Sequence, residues 1–117
     1  MMDKRASGIR GEALAQGYLA GQGYRLRCCN YRASRCEVDI IAEFEGVLVF
    51  AEVKARYGDR YGLGREAVTI AKQRHIIQVA QAYIAEQDLY DMPVRFDVLE
   101  VDLTSGRVEH IPGAFTL

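Results

Sequence analysis

The chain has no long hydrophobic run. Its unbroken apolar stretches fall far short of the roughly 18 residues that suggest a membrane span, so no membrane partner is expected. The N-terminus, MMDKRASGIRGE, lacks an apolar segment as well, which predicts no secretory signal and a cytoplasmic location. Cysteine and histidine are scarce: Cys28, Cys29, Cys36, His75 and His110, without CxxC or HxxxH spacing. That spacing argues against a zinc site, and with no sign of export the thiols read as reduced. No repeat, low-complexity segment or linker interrupts the 117 residues, half of them apolar, so one domain over 1–117 is expected.

Net charge is nearly absent too, at −1. It conceals an asymmetry, because residues 1–74 carry thirteen Lys/Arg against nine Asp/Glu, whereas residues 75–117 carry two against seven. The positive excess sits at Arg25, Arg27, Arg32 and Arg35, and again at Lys54, Arg56, Arg60, Arg65, Lys72 and Arg74. Such patches suit a polyanion, and they suit ordinary solvated surface equally well. Charge alone does not choose the partner.

Periodicity then supplies the elements. Ser7 is a candidate N-cap, and Ile9, Ala13, Gly17 and Ala20 form a stripe at helical spacing that ends near Gly21 and Gly23. YRLRCCNYR reads as a strand with a basic face, and EVDIIAEFEGVLVFAEVKAR as a hairpin turning at Glu45-Gly46. RYGDRYGLGR is a glycine-rich basic loop, and Thr69 can cap a second helix reaching about Gln87. VRFDVLEVDL is a strand, paired across Ser105-Gly106 with RVEHI. The order αβββαββ predicts an α/β domain with a mixed central sheet flanked by helices.

The hairpin strands are the most hydrophobic part of the chain, yet they carry Glu37, Asp39, Glu52 and Lys54. Alternation places Glu37 with Asp39, and Glu52 with Lys54, on shared faces, and antiparallel pairing brings them together away from the turn. A cross-strand bridge from Lys54 to a carboxylate is the structural explanation, since buried charges need partners. It leaves surplus negative charge, because Asp39 and Glu52 compete for one ammonium. A hard divalent cation, Mg²⁺ or Mn²⁺, resolves the surplus with Asp39, Glu52 and the Val53 carbonyl as ligands. Lys54 beside it can position a nucleophile or stabilise charge on a phosphate, which suits phosphodiester hydrolysis.

Two further residues fit. The second helix has a core stripe of Ile70, Ile76, Ile77, Ala80, Tyr83 and Ile84, and Gln73 falls within it near the N-terminus. It is either a satisfied core amide or a group that positions water or phosphate. Glu12, one turn after Ile9, is either an exposed glutamate or an acid that reaches the metal shell.

The set Glu12, Asp39, Glu52-Val53-Lys54 and Gln73 resembles the PD-(D/E)xK nuclease superfamily, with spacing similar to its archaeal Holliday-junction resolvase branch. Nearly the whole chain resembles the bacterial YraN family, also called UPF0102, through GEALAQGYL, NYR, EVDIIA, VFAEVKAR, YG, AVTIAKQR, RFDV and VEHIPGAF. Cys36 stands where that family usually has glycine, and Gly113 where asparagine is frequent. The resemblance implies a restriction-endonuclease-like core, with Asp39 and Glu52 as metal ligands and Lys54 as the catalytic lysine. The expected function is therefore a Mg²⁺-dependent endonuclease acting on DNA, including branched or flapped forms. Arg56, Arg60, Arg65 and Lys72 are the expected phosphate contacts. The alternatives are a nucleic-acid-binding module that cleaves nothing and a domain whose charges are only an ion network. Near-neutral charge and small size favour weak binding, which a partner or a homodimer would strengthen.

Overall fold

Seven elements follow one another in the expected order: α1 (Lys4–Gly21), β1 (Arg25–Ala33), β2 (Cys36–Phe44), β3 (Val47–Arg56), α2 (Ile70–Gln87), β4 (Val94–Asp102) and β5 (Val108–Phe115). The structure is a computed structural model and describes residues 4–58 and 68–116. Among these, no helix is long and apolar enough to cross a membrane. One five-stranded sheet runs β1-β2-β3-β4-β5 in space. Among the described strands only β3 and β4 are parallel, because α2 carries the chain back between them. The fold is the mixed α/β arrangement read from the sequence, and it is compatible with a restriction-endonuclease-like core.

The helices cover opposite faces of the sheet. Ile76, Val79, Ala80 and Tyr83 of α2 pack on Leu48, Phe50, Phe96 and Val98. Ala15 and Leu19 of α1 pack on Ile40, Val49, Ala51, Leu99 and Val101. The Glu45-Gly46 turn has both residues at positive φ (49° and 80°), as a two-residue hairpin of matching twist requires. Thr69 caps α2, its side chain accepting from the Lys72 N–H at 3.2 Å.

Three local expectations are corrected. Helix α1 begins at Lys4, so Ser7 lies inside it, its Oγ 3.2 Å from the Tyr57 hydroxyl. The stripe Ile9, Ala13, Gly17, Ala20 is the exposed face, with Ile9 at 61% exposure. The buried face is Gly11, Ala15 and Leu19. Helix α1 carries small and apolar residues all round, so two stripes compete, and close approach decides between them: a Cβ on Gly11 would come within 2.5 Å of the Ala55 Cβ. Ile70 is also exposed, on the side of the first turn of α2 opposite the half-buried Lys72.

The last strand is held by a buried carboxylate. Where the β4–β5 register shifts, fully buried Asp97 accepts from Arg95 Nε and Nη2 (both 2.8 Å) and from the Gly113 N–H (3.0 Å), and it contacts His110 Nε2 (2.6 Å). Burial alone would push its pKa up, but the bonds from His110, Arg95 and Gly113 outweigh it and hold the carboxyl below the ordinary value of 3.8. Its contribution is therefore complete above that value and lost as pH falls through the lower, folded one. Asp97→Ala strands the Arg95 guanidinium and leaves the His110 ring and the Gly113 N–H without their acceptor, and it is expected to cost about 3–5 kcal/mol of unfolding free energy at pH 7, read from urea midpoints.

Candidate active site

Pairing of β2 with β3 runs from Phe44 opposite Val47 to Ile40 opposite Ala51, and there it stops. Beyond it the strands fork. Asp39 Oδ2 accepts the Val53 N–H at 2.8 Å, taking the place that a β2 carbonyl would hold in a continued ladder. Alternation breaks at the same point: Val38 packs in the α2 cluster and Ile40 in the α1 cluster, although two residues apart they should share a face. The N–H and C=O of one residue leave an extended strand by the same edge, so the Val53 carbonyl also faces the fork.

Glu52 follows Leu48 and Phe50 on the α2 face of β3 and is 5% exposed. Its Oε1 lies 3.9 Å from Lys72 Nζ, whereas Oε2 is buried with no hydrogen-bond partner. Burial is the main force on its pKa, followed by the charge of Asp39 and a hydrogen bond between the two carboxyls. Lys72 and then Lys54 oppose these, and the net result is a pKa pushed up to about 8. The close approach of Gly11 to Ala55 brings α1 low over the same end of the sheet, and Glu12 with it. Glu12 Oε1 is likewise buried without a partner. Burial, then Asp39, raise the Glu12 pKa, a hydrogen bond with Asn30 lowers it, and Glu37 raises it again.

The remaining expected site residues are placed as follows. Lys54 is half-buried two residues past Glu52, and its register partner on β4 is Glu100, which is fully buried. Gln73 is half-buried, and its Nε2 donates to the Val68 carbonyl at 3.0 Å, tying α2 to the chain that enters it. Arg56 is half-buried, and its Nε has no partner. Lys72, expected to meet phosphate, lies against Glu52. Arg60 and Arg65 lie outside the described residues. Glu100 and Asn30 were not foreseen. Glu100 carried the same signal as Asp39 and Glu52, an acid within an apolar strand; Asn30 carried none beyond its place in NYR.

Among the described residues, no three His, Cys, Asp or Glu side chains are gathered closely enough to hold a cation as they stand. The donor chemistry nevertheless fits a hard divalent ion. Two buried carboxylate oxygens have no partner, and Asp39 and the Val53 carbonyl face the same fork. The Asp39 charge acts on both glutamates.

A mixed five-stranded sheet between two helices, with acids at a strand fork, defines the class: an α/β domain with a partly desolvated acidic site. The chain belongs to the UPF0102 family, for the profile described as "Uncharacterised protein family UPF0102" matches residues 11–101. A UPF0102 protein of Clostridioides difficile (strain 630) is 40% identical over 114 residues, covering 97% of this chain and all of the relative. One from Symbiobacterium thermophilum is 47% identical over 98 residues, covering 84% and 83%. A third, from Syntrophotalea carbinolica, is 45% identical over 107 residues, covering 90% and 87%.

The raised Glu52 pKa fixes a sign. Its folded pKa exceeds the unfolded value of 4.5, so the contribution of Glu52 to metal-free stability is fully present below 4.5 and is lost as pH rises towards about 8. In EDTA at constant ionic strength, melting temperature is expected to fall from pH 5 to pH 8. Glu52→Gln should flatten this decline and be the more stable protein at pH 8; parallel melting curves would remove the assignment.

Proposed function

We propose that this protein is a divalent-cation-dependent phosphodiesterase that cuts nucleic acid, DNA in the first instance, at the fork between β2 and β3. The observation that carries this reading is the pair of buried, unpartnered oxygens, Glu12 Oε1 and Glu52 Oε2. A partnerless buried carboxylate oxygen is costly to maintain and gives no stability in return, whereas a cation would use it. The resemblance to the PD-(D/E)xK nucleases supports the same assignment.

Asp39, Glu52 and the Val53 carbonyl would hold Mg²⁺ or Mn²⁺, with Glu12 at its margin. A bound cation would supply polarisation of the phosphoryl group and an activated water. The chain's own part is electrostatic. The Lys54 ammonium, two residues along the same face of β3, stabilises negative charge that develops on the phosphate. Arg56, further along that face, would meet a backbone phosphate through the charge of its guanidinium. Gln73 holds the start of α2 in place at the site's edge. Contacts of this kind read backbone rather than base, so affinity should fall steeply with salt and show little sequence preference.

A second reading, a binding module that cleaves nothing, is favoured by the Lys72–Glu52 ion pair, which already offsets part of the acidic charge. Labelled duplex, junction, flap and single-stranded substrates in Mg²⁺ or Mn²⁺ decide between them. Cleavage is expected, with Lys54→Ala slowing it about 10²-fold or more while melting remains cooperative. Mn²⁺ should raise the wild-type melting temperature and leave that of Asp39→Asn unmoved. An inert wild type on every substrate selects the binding module, and a folded Lys54→Ala that cuts at the wild-type rate removes Lys54 from the chemistry.

A further inference from the structure

Lys72 is oddly placed for a phosphate contact. It sits in the first turn of α2, where no acidic residue accompanies it and where the helix end is itself positive. A cation there is mildly unfavourable unless an acid lies beneath it, and among the described residues the carboxyl in reach is that of the buried Glu52, with Oε1 at 3.9 Å. At this distance the contact is an ion pair rather than a short hydrogen bond. The lysine side chain is 37% exposed and the glutamate 6%, so one end of the pair is fixed in the sheet and the other reaches solvent. Lys72 also precedes Lys54 among the cations that draw down the Glu52 pKa.

From this geometry we propose that Lys72 is a placeholder cation that couples metal binding to phosphate binding. In the metal-free protein its ammonium holds the place beside Glu52 and favours the ionised form of that carboxyl. When a divalent cation takes Glu52, that charge is neutralised, and Lys72, repelled by the ion and by the helix end, turns outward to a phosphate of the bound nucleic acid. The converse follows from linkage: a phosphate that draws Lys72 away unmasks Glu52 for the metal, so each ligand tightens the other by the same factor. Stem length and rotamer freedom make lysine suited to such a swing. The proposal deepens the reading of the fork as a cation site and rests on it.

The test measures binding rather than cleavage. Mn²⁺ affinity is determined by electron paramagnetic resonance of free Mn²⁺, with and without a short duplex bearing non-hydrolysable phosphorothioate linkages. Wild type, Lys72→Met and Lys72→Arg are compared. In wild type the duplex is expected to tighten Mn²⁺ binding about tenfold, within the usual range of coupling between sites. Lys72→Met should lose at least about threefold of that coupling, the remainder coming from direct contact of ion and phosphate, and Lys72→Arg should restore most of it. Thermal melts confirm that each variant folds. Equal coupling in wild type and Lys72→Met overturns the placeholder role while leaving the metal site standing. A wild type that takes up no Mn²⁺ overturns both.

Discussion

The bond from the Val53 N–H to the Asp39 carboxylate is the constraint on which the rest of the site depends. A backbone amide at the end of a ladder needs an acceptor, and in a hairpin the partner strand ordinarily supplies a carbonyl. Here a side chain supplies it, which frees β2 to part from β3 and fixes a carboxylate in the gap. Glu52, the neighbour of Val53, must then share its surroundings with a second negative charge under the cover of α2. Burial is the main cause of its raised pKa, and the Asp39 carboxylate held in the gap adds to it.

The helices divide the remaining work by charge. Helix α1 approaches through a glycine and brings another carboxyl, Glu12; helix α2 brings a positive end and Lys72. Acid from one face and base from the other meet at the same end of the sheet. The opposite treatment is seen at Asp97, where four donors surround one buried carboxylate and leave none of its demand unmet. A fully satisfied acid and a half-satisfied one within the same sheet are two contrasting ways of burying a carboxylate.

Element order, the Glu45-Gly46 turn, the Thr69 cap and the parallel step were legible because each rests on a local signal: period, turn residues or capping chemistry. The face of α1 was not, since Ile9 is a larger apolar residue than Gly11 or Ala15 and sequence spacing alone favours it. What placed Gly11 inward was the nearness of Ala55, a contact between elements that no window along the chain contains. The same limit applies to Lys72. Its charge was plain, but that it would lie over Glu52 rather than face only solvent depends on how α2 settles on the sheet. Glu100 was legible in principle, as an acid inside VRFDVLEVDL, and its nearness to Lys54 follows once β3 and β4 are known to be in register.

The topology also orders the assembly of the site in time. Loop-closure entropy lets β2 and β3 pair early across their two-residue turn, whereas β3 must find β4 across residues 57–93. Asp39 and Glu52 therefore meet while still hydrated, when their repulsion is weak. The penalty falls later, as α2 and α1 settle and water leaves. Strain that is absent from the folding transition state and present in the closed protein acts on the rate of opening rather than on the rate of closing. A cation at the fork would then act chiefly as a brake on unfolding, visible in the unfolding limb of a chevron.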